Sequence, residues 1–441
     1  MENRCDIVIH GGTVITAGDG GDIIPNGLIC IRSDRLDRVE ACPRSGSLPP
    51  AAKVIDAGGM LVLPGLVNAH THMPMTLFRG LADDLPLQQW LEKHIFPAES
   101  RHIHPETVEI GTLLACAEMI LSGTTTFCDG YFLEEHVARA VLQSGLRAVL
   151  GQGVIDLPAP GVPDPADNVA AAERFVSRWH HHSPLLQPSI FCHAPYTCSA
   201  ATLRAAKTAA DRAGVCFQIH AAETRTEAAR LEGARSSPVR YLDRLGLLDA
   251  HTLLVHCVWL DEADVEIIAA RGATVAHCPE SNMKMASGVA PVSELLAAGV
   301  VVGLGTDGCA SNNNLDMMQE MDTAAKLHKV HRMDPTAADA GSVLGMATAG
   351  GAAAIGLGTE IGRLESGRKA DLILLDARQP HLQPLYHPIS QVVYAARGGD
   401  VHTSIIDGRV VLENRRLLTL NLEQILDRAA ELGSRIQRQR A

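Results

Sequence analysis

Aromatic residues are scarce, at 3% of the chain, so a core built on large rings is excluded and Ala, Gly, Leu and Val must do most of the packing. Layers of strands and helices pack that way. Positive charge is also short. The formal net charge of −12 argues against nucleic acid or another polyanion as partner, because phosphate binding needs a basic surface. The start Met1-Glu2-Asn3-Arg4-Cys5-Asp6 is charged and lacks the apolar stretch of a secretion signal. No unbroken apolar run reaches the length of a membrane span, so no membrane partner is expected. Paired cysteines are missing as well. The 11 cysteines are odd in number and scattered, several lie inside apolar runs (Cys192, Cys216, Cys257), and no Cys-x-x-Cys knuckle occurs. Reduced, structural thiols in a cytoplasmic protein are the expectation, not a disulfide framework.

The 441 residues exceed a usual single core unless that core is a large α/β barrel with something attached. Both ends read as short strands broken by turns. Asp6-Ile7-Val8-Ile9-His10 runs into Gly11-Gly12, and Gly27–Ile31 follows a Pro-Asn turn. Near the other end, Ala370–Leu375 and Ser404–Val411 repeat the style, with Asp407-Gly408 as a hairpin signal. One small β domain built from both termini follows, over 1–62 and 365–441. Leu422 to Ile436 has helical spacing and reads as a packed terminal helix.

The middle, 63–364, alternates apolar strands with Ala-rich helical segments. The run Met60–Val67 before His70, with Thr124–Cys128, Arg147–Gln152, Pro188–Cys192, Cys216–Ile219, Thr252–Val255, Ala273–Ala276 and Val300–Leu304, makes eight strands. Eight βα units fit a closed (β/α)8 barrel, whose catalytic groups come from the C-terminal strand ends. Those ends carry His193, His220 with Glu223 just beyond, His256, His277 and Asp307. Any one of them alone reads as a core residue satisfied by a backbone carbonyl; metal-capable residues at so many successive strand ends do not fit packing alone.

His70-Thr71-His72 places two imidazoles two residues apart, on one side of a strand. With His220 and Asp307 they supply three nitrogens and one oxygen to a divalent cation, a set that suits Zn2+, with Fe2+ as a substitute. An open position would hold water, with Glu223 as proton carrier, Asp307 accepting the water proton and His256 bonding the resulting hydroxide. Pro188 to Ala194 offers no Lys or Glu to bridge a second ion, so one metal is expected.

The residues at this point resemble the amidohydrolase superfamily, and within it the 5′-methylthioadenosine/S-adenosylhomocysteine deaminases. The likeness spans nearly the whole chain. It is densest in Pro64–Gly80, and continues in Asp83–Leu87, Trp90-Leu91, Ile95–Glu99, His193–Ser199, His220–Thr224, Ser281–Gly288 and Gly303–Gly308 with Ala310–Asn313. The resemblance implies a distorted TIM barrel, a split β-sandwich, a homo-oligomer, and hydrolytic removal of the 6-amino group of a purine nucleoside. Hydroxide would attack C6, Glu223 would protonate N1, and Asp307 would pass the hydroxyl proton to departing ammonia. The other zinc deaminase fingerprint, His-x-Glu with Pro-Cys-x-x-Cys, is missing.

The family's sugar positions carry over to Glu99 and His193; a carboxylate accepts two hydrogen bonds at once, as vicinal ribose hydroxyls require. Trp90 either covers the 5′ substituent or anchors the core, and Ser311 orients the loop after strand eight. One departure stands out. Members that take S-adenosylhomocysteine place an arginine after strand three, yet Gly151 to Glu173 holds no Arg or Lys, and Arg174 reads as a helix surface position. A preference for methylthioadenosine or adenosine over S-adenosylhomocysteine follows. The nearest rival is a guanine-type or s-triazine amino- or chlorohydrolase on the same scaffold. A two-metal cyclic-amide hydrolase and a non-catalytic scaffold stand further off.

Overall fold

The computed structural model describes residues 4–18, 22–43, 47–231 and 237–439; Met1-Glu2-Asn3 of the charged start lies outside the described residues. Eight parallel strands form its centre: β1 (Leu66–Thr71), β2 (Thr124–Tyr131), β3 (Arg147–Val154), β4 (Leu186–Cys192), β5 (Phe217–Ala221), β6 (Thr252–His256), β7 (Thr274–His277) and β8 (Val302–Leu304). They pair in chain order from β1 to β8. Nearly every strand residue is buried, which is why these segments read as continuous apolar runs rather than alternating ones.

The barrel closes differently between β8 and β1, where no strand ladder forms. The Asp307 N–H donates to the His70 carbonyl at 3.0 Å, and the Thr306 N–H to Asn68 Oδ1 at 3.1 Å. The Asn68 amide returns a bond to Thr306 Oγ1 at 2.7 Å. Gly305 makes this approach possible, since a Cβ there would stand 2.8 Å from the His70 nitrogen. The result is the expected distorted (β/α)8 barrel.

Two further sheets make the β-sandwich. One has four strands, Cys5–His10, Gly27–Arg32, Arg35–Ala41 and Ala51–Asp56. The other joins both ends of the chain: Met60–Pro64 pairs with Leu372–Asp376, which pairs with Val401–Ile406. Ile9, Ile29, Ile31, Val62, Leu372 and Leu374 fill the space between. The Asp407-Gly408 turn has φ of 51° and 76°, the left-handed pair that a tight hairpin requires. The terminal helix (Leu422–Arg438) buries Ile425, Leu432 and Ile436.

One expectation is corrected. The run Met60–Val67 is two strands rather than one, the first in the sandwich and the second in the barrel. Gly65 is the crossing point: its N–H donates to the Asp371 carbonyl, and a Cβ would overlap Thr125 at 2.0 Å. Both strands are buried along their whole length, so no change of polarity marks the break. The cysteines are free thiols, most of them buried. Among the described residues no helix is long and apolar enough to cross a membrane.

A buried ion cluster ties the sandwich to the barrel floor. Arg147, at the start of β3, donates to Asp371 Oδ2 at 2.7 Å and Oδ1 at 3.1 Å, to Asp407 Oδ1 at 2.9 Å and to the Pro184 carbonyl at 2.8 Å. The carboxylates hold the guanidinium charged against burial. Arg147→Ala strands the Asp371 carboxylate and should cost about 3–5 kcal/mol. Arg147→Met combined with Asp371→Leu should cost less. Denaturant midpoints of the three proteins check the order.

Candidate active site

The functional side chains gather at the C-terminal rim of the barrel. β1 ends at Thr71 and its register shifts after Asn68, so His72 stands just past the strand instead of on it. The two rings still meet edge to face, with centroids 4.7 Å apart. His70, His72, His220 and Asp307 are all buried, and one ligand atom from each lies within 4.8 Å of the others. His72 Nδ1 bonds the Gly130 carbonyl at 2.6 Å, which places its proton there and leaves Nε2 free, 3.3 Å from Asp307 Oδ1. His70 Nε2 lies 3.6 Å from the same oxygen and 3.1 Å from His220 Nε2. Two ring nitrogens face to face share at most one proton, whereas a cation satisfies both along with the carboxylate. Three imidazoles and one carboxylate form a donor set that would suit a divalent transition metal.

Protonation of two of the three rings agrees with that fit; in His72 burial lowers the ring but the Asp307 carboxylate beside it raises it above the usual imidazole value. Burial pushes His70 down to about 4 and His220 well below the usual imidazole value, leaving both in the neutral, ligating form. Burial opposes the charge on Asp307, yet the neighbouring His70 and His72 rings hold it well below the carboxylate range. The backbone pays a local strain for the arrangement: Ala222, His256, Cys257 and Asp307 have φ of 53°, 73°, 49° and 61°. Left-handed non-glycine residues cost roughly 1–3 kcal/mol each and cluster where a side chain must be aimed.

Glu223 and His256 stand beside the donor set. The His256 Nε2 is 3.9 Å from Glu223 Oε2 and 4.0 Å from Asp307 Oδ2. Burial raises the Glu223 carboxyl, favouring its protonated form. One short helix, α1 (Pro279–Lys284), orients two of these groups at once. Ser281 Oγ donates to Asp307 Oδ2 at 2.7 Å, and Asn282 Oδ1 accepts from His256 Nδ1 at 3.0 Å. Ser311 Oγ lies 2.9 Å from the same Asp307 oxygen, so Ser311 does more than orient its own loop.

A second group of side chains lines the same cavity. Residues 87–102 are helical throughout, with a wide π turn over Leu91–Ile95. Trp90, Leu91, Ile95, Phe96 and Glu99 all line the cavity from this segment. Glu99 Oε1 accepts from the Tyr131 hydroxyl at 2.7 Å, and burial pushes its carboxyl up to about 7. His193 Nδ1 bonds Thr197 Oγ1 at 2.8 Å, and burial pushes the ring down to about 3. Thr197 spends its own proton on the Ala194 carbonyl, so His193 Nδ1 is the donor and Nε2 an acceptor. Trp90 is buried and anchored by Nε1 to the Ala82 carbonyl at 3.0 Å, and it also lines the cavity.

His72, His220, Asp307, Glu223, His256, Ser311, Trp90, Glu99 and His193 line one cavity whose space, counted out to the open solvent, is about 660 Å3. His277 does not join them. It lies against His328, nitrogen to nitrogen at 3.0 Å, and is a core histidine. Arg174 is exposed on its helix. The orienting roles of Ser281, Asn282, Gly130 and Tyr131 were invisible in the sequence. So was Asp129, whose Oδ1 accepts from the Met73 N–H at 2.9 Å just after His72.

Comparison with known proteins agrees with this geometry. The description "Amidohydrolase family" matches residues 61–411. A 5-methylthioadenosine/S-adenosylhomocysteine deaminase of Syntrophobacter fumaroxidans is 48% identical over 99% of both chains. A 5′-deoxyadenosine deaminase of Methanosarcina acetivorans is 46% identical over 96% of both. The crystal structure of an adenosine deaminase from Xanthomonas campestris with bound zinc matches with a TM-score of 0.96 at 38% identity, covering 99% of each chain. By matched length, identity and barrel geometry together, this chain belongs to the amidohydrolase family.

Proposed function

We propose that this chain is a metal-dependent hydrolytic deaminase of purine nucleosides, converting 5′-methylthioadenosine, along with adenosine or S-adenosylhomocysteine, to the corresponding inosine and ammonia. One observation carries the reading: a single cavity is lined by members of the His/Asp donor set, by Glu223 with a carboxyl that burial raises, and by Glu99 with His193. A guanine-type base or an s-triazine has no ribose and leaves Glu99 and His193 without a task. The names of the relatives at 46–48% identity support the nucleoside reading.

His70, His72, His220 and Asp307 would hold one divalent cation, Zn2+ in the first place with Fe2+ as substitute. When bound, it supplies the Lewis acidity that makes water a nucleophile near neutral pH. Everything else belongs to side chains. Glu223 donates its proton to ring nitrogen N1, so that negative charge does not accumulate on the ring as C6 is attacked. Asp307, its Oδ2 steadied by Ser281 and Ser311, accepts one proton of the attacking water and returns it to the departing amine, and the remaining C6 hydroxyl proton restores Glu223 as the carbonyl forms. His256 bonds the attacking oxygen, its ring fixed by Asn282. Glu99 and His193 Nε2 accept hydrogen bonds from the ribose hydroxyls. The reading places a homo-oligomer in the cytoplasm, where the free thiols stay reduced.

Glu223→Gln should lower kcat for ammonia release by about 10²–10⁴-fold while metal content and nucleoside KM stay near the parent values. An unchanged kcat overturns the assigned role. Glu99→Ala should raise KM for nucleosides by about 10- to 100-fold, the worth of hydrogen bonds to a charged group, while any turnover of a free base is unaffected. Protonating Glu99 removes its second acceptor. Since burial pushes its carboxyl up to about 7, nucleoside KM should therefore rise as pH falls through neutrality and level off above it. Tyr131 lowers that value by its hydrogen bond, so Tyr131→Phe should move the KM limb to higher pH. KM profiles from pH 5.5 to 9, as a working range of about 3.5 units around that value, decide it.

A further inference from the structure

The helical stretch 87–102 has two faces. Trp90, Leu91, Ile95 and Glu99 turn one of them to the catalytic cavity. The other is basic. Lys93, Pro97 and Arg101 recur at every fourth position, and His94, Ala98 and His102 repeat that spacing one place further along. Residues four apart stack on one helix face, so the four basic side chains share a stripe. The stripe lines a separate surface cleft, to which Leu81 and Ile436 of the terminal helix also contribute. Among the described residues, no acidic side chain lines it.

The positive charge in the cleft is not neutralised by the protein. Although the chain carries a net charge of −12, Lys93 and Arg101 make no ion pair or hydrogen bond among the described residues. The carboxylates on the same stretch and just after it are engaged elsewhere: Glu92 faces Arg230 at 3.8 Å, Glu99 holds Tyr131, and Glu106 takes Arg428 and Arg435. His102 is only 7% exposed, yet its ring has no hydrogen-bond partner among the described residues. Burial and the positive neighbours Arg101 and His104 lower this imidazole, and no carboxylate raises it. A buried polar ring without a partner is costly unless something in the cleft reaches it. We propose that this cleft binds a phosphate dianion, free or at the end of a small ester, between the Lys93 ammonium and the Arg101 guanidinium, with the His102 ring N–H as a further donor. Two fixed positive charges match a dianion, and the guanidinium fork matches two phosphate oxygens. The neutral imidazole keeps one N–H to give. A long polyanion would meet the negative charge of the rest of the chain, so a small ligand is selected. The site lies on the back of the helix that carries Glu99, and its occupant would tie that helix to the terminal one.

Calorimetric titration of the metal-loaded full chain with inorganic phosphate, at constant ionic strength, tests the site. Kd should be on the order of 1 mM, the worth of two charged hydrogen bonds. Lys93→Gln and Arg101→Gln should each weaken binding by at least about tenfold, the factor of one such bond. Both side chains are exposed, so neither change disturbs the core. Arg174→Gln removes an exposed charge outside the cleft and should leave Kd unchanged. Acetate, a monoanion, should bind at least about tenfold more weakly than phosphate. Methyl phosphate provides the second arm: tighter binding than inorganic phosphate identifies an ester as the ligand, and the reverse order identifies the free ion. Equal phosphate affinity in the parent, Lys93→Gln and Arg101→Gln means that the ion binds elsewhere and overturns the site. A parent chain that gives no heat, and whose unfolding midpoint stays fixed in phosphate at about twenty times the expected Kd, overturns it as well. None of these readouts involves ammonia release, so the cleft and the proposed function stand or fall separately.

Discussion

The seam between β8 and β1 is the contact on which the rest depends. It is made by the Asp307 N–H and the His70 carbonyl, so the residues that close the barrel are the residues whose side chains form the donor set. A carboxylate and three imidazoles buried this completely are unfavourable unless each finds its counterpart. Barrel closure brings them together, and their mutual attraction in turn favours closure. Folding and assembly of the site are one event at this seam.

A second layer converts proximity into aim. The Gly130 carbonyl fixes the tautomer of His72, Thr197 that of His193, and Asn282 the ring of His256. Ser281 and Ser311 occupy the Asp307 oxygen that faces away from His70 and His72. The left-handed backbone at Ala222, His256, Cys257 and Asp307 turns the chain sharply where strands end, and the hydrogen bonds of this layer are what hold that strain in place. Apolar surroundings then set the proton affinities, high for Glu223 and Glu99, low for His70, His193 and His220.

Much of this is legible in the chain itself, because strand ends are marked by a simple change from an apolar run to a single polar residue. That signal located seven of the eight barrel strands and the four residues of the buried His/Asp cluster. It misled at His277, whose polar ring ends a strand in the same way but packs on a helix that the sequence places some 50 residues further on. It was silent at Gly65, where two strands of different sheets are equally buried and only the tight contact with Thr125 separates them. Ser281 and Asn282 carry no periodic signature, since what matters is their distance to Asp307 and His256 across the rim. The absence of Arg and Lys after β3 was readable, but the cleft between residues 93–102 and the terminal helix required three dimensions.

The interleaved sandwich sheet has a consequence for biosynthesis. Met60–Pro64 leaves the ribosome early, yet the neighbour along one of its edges, Leu372–Asp376, follows roughly 300 residues later. At about 5–20 residues per second the nascent strand waits about 15 to 60 s with that apolar edge uncovered. Throughout that interval the newborn chain offers a template for pairing with other molecules, which makes translation speed and chaperone occupancy determinants of yield for this fold.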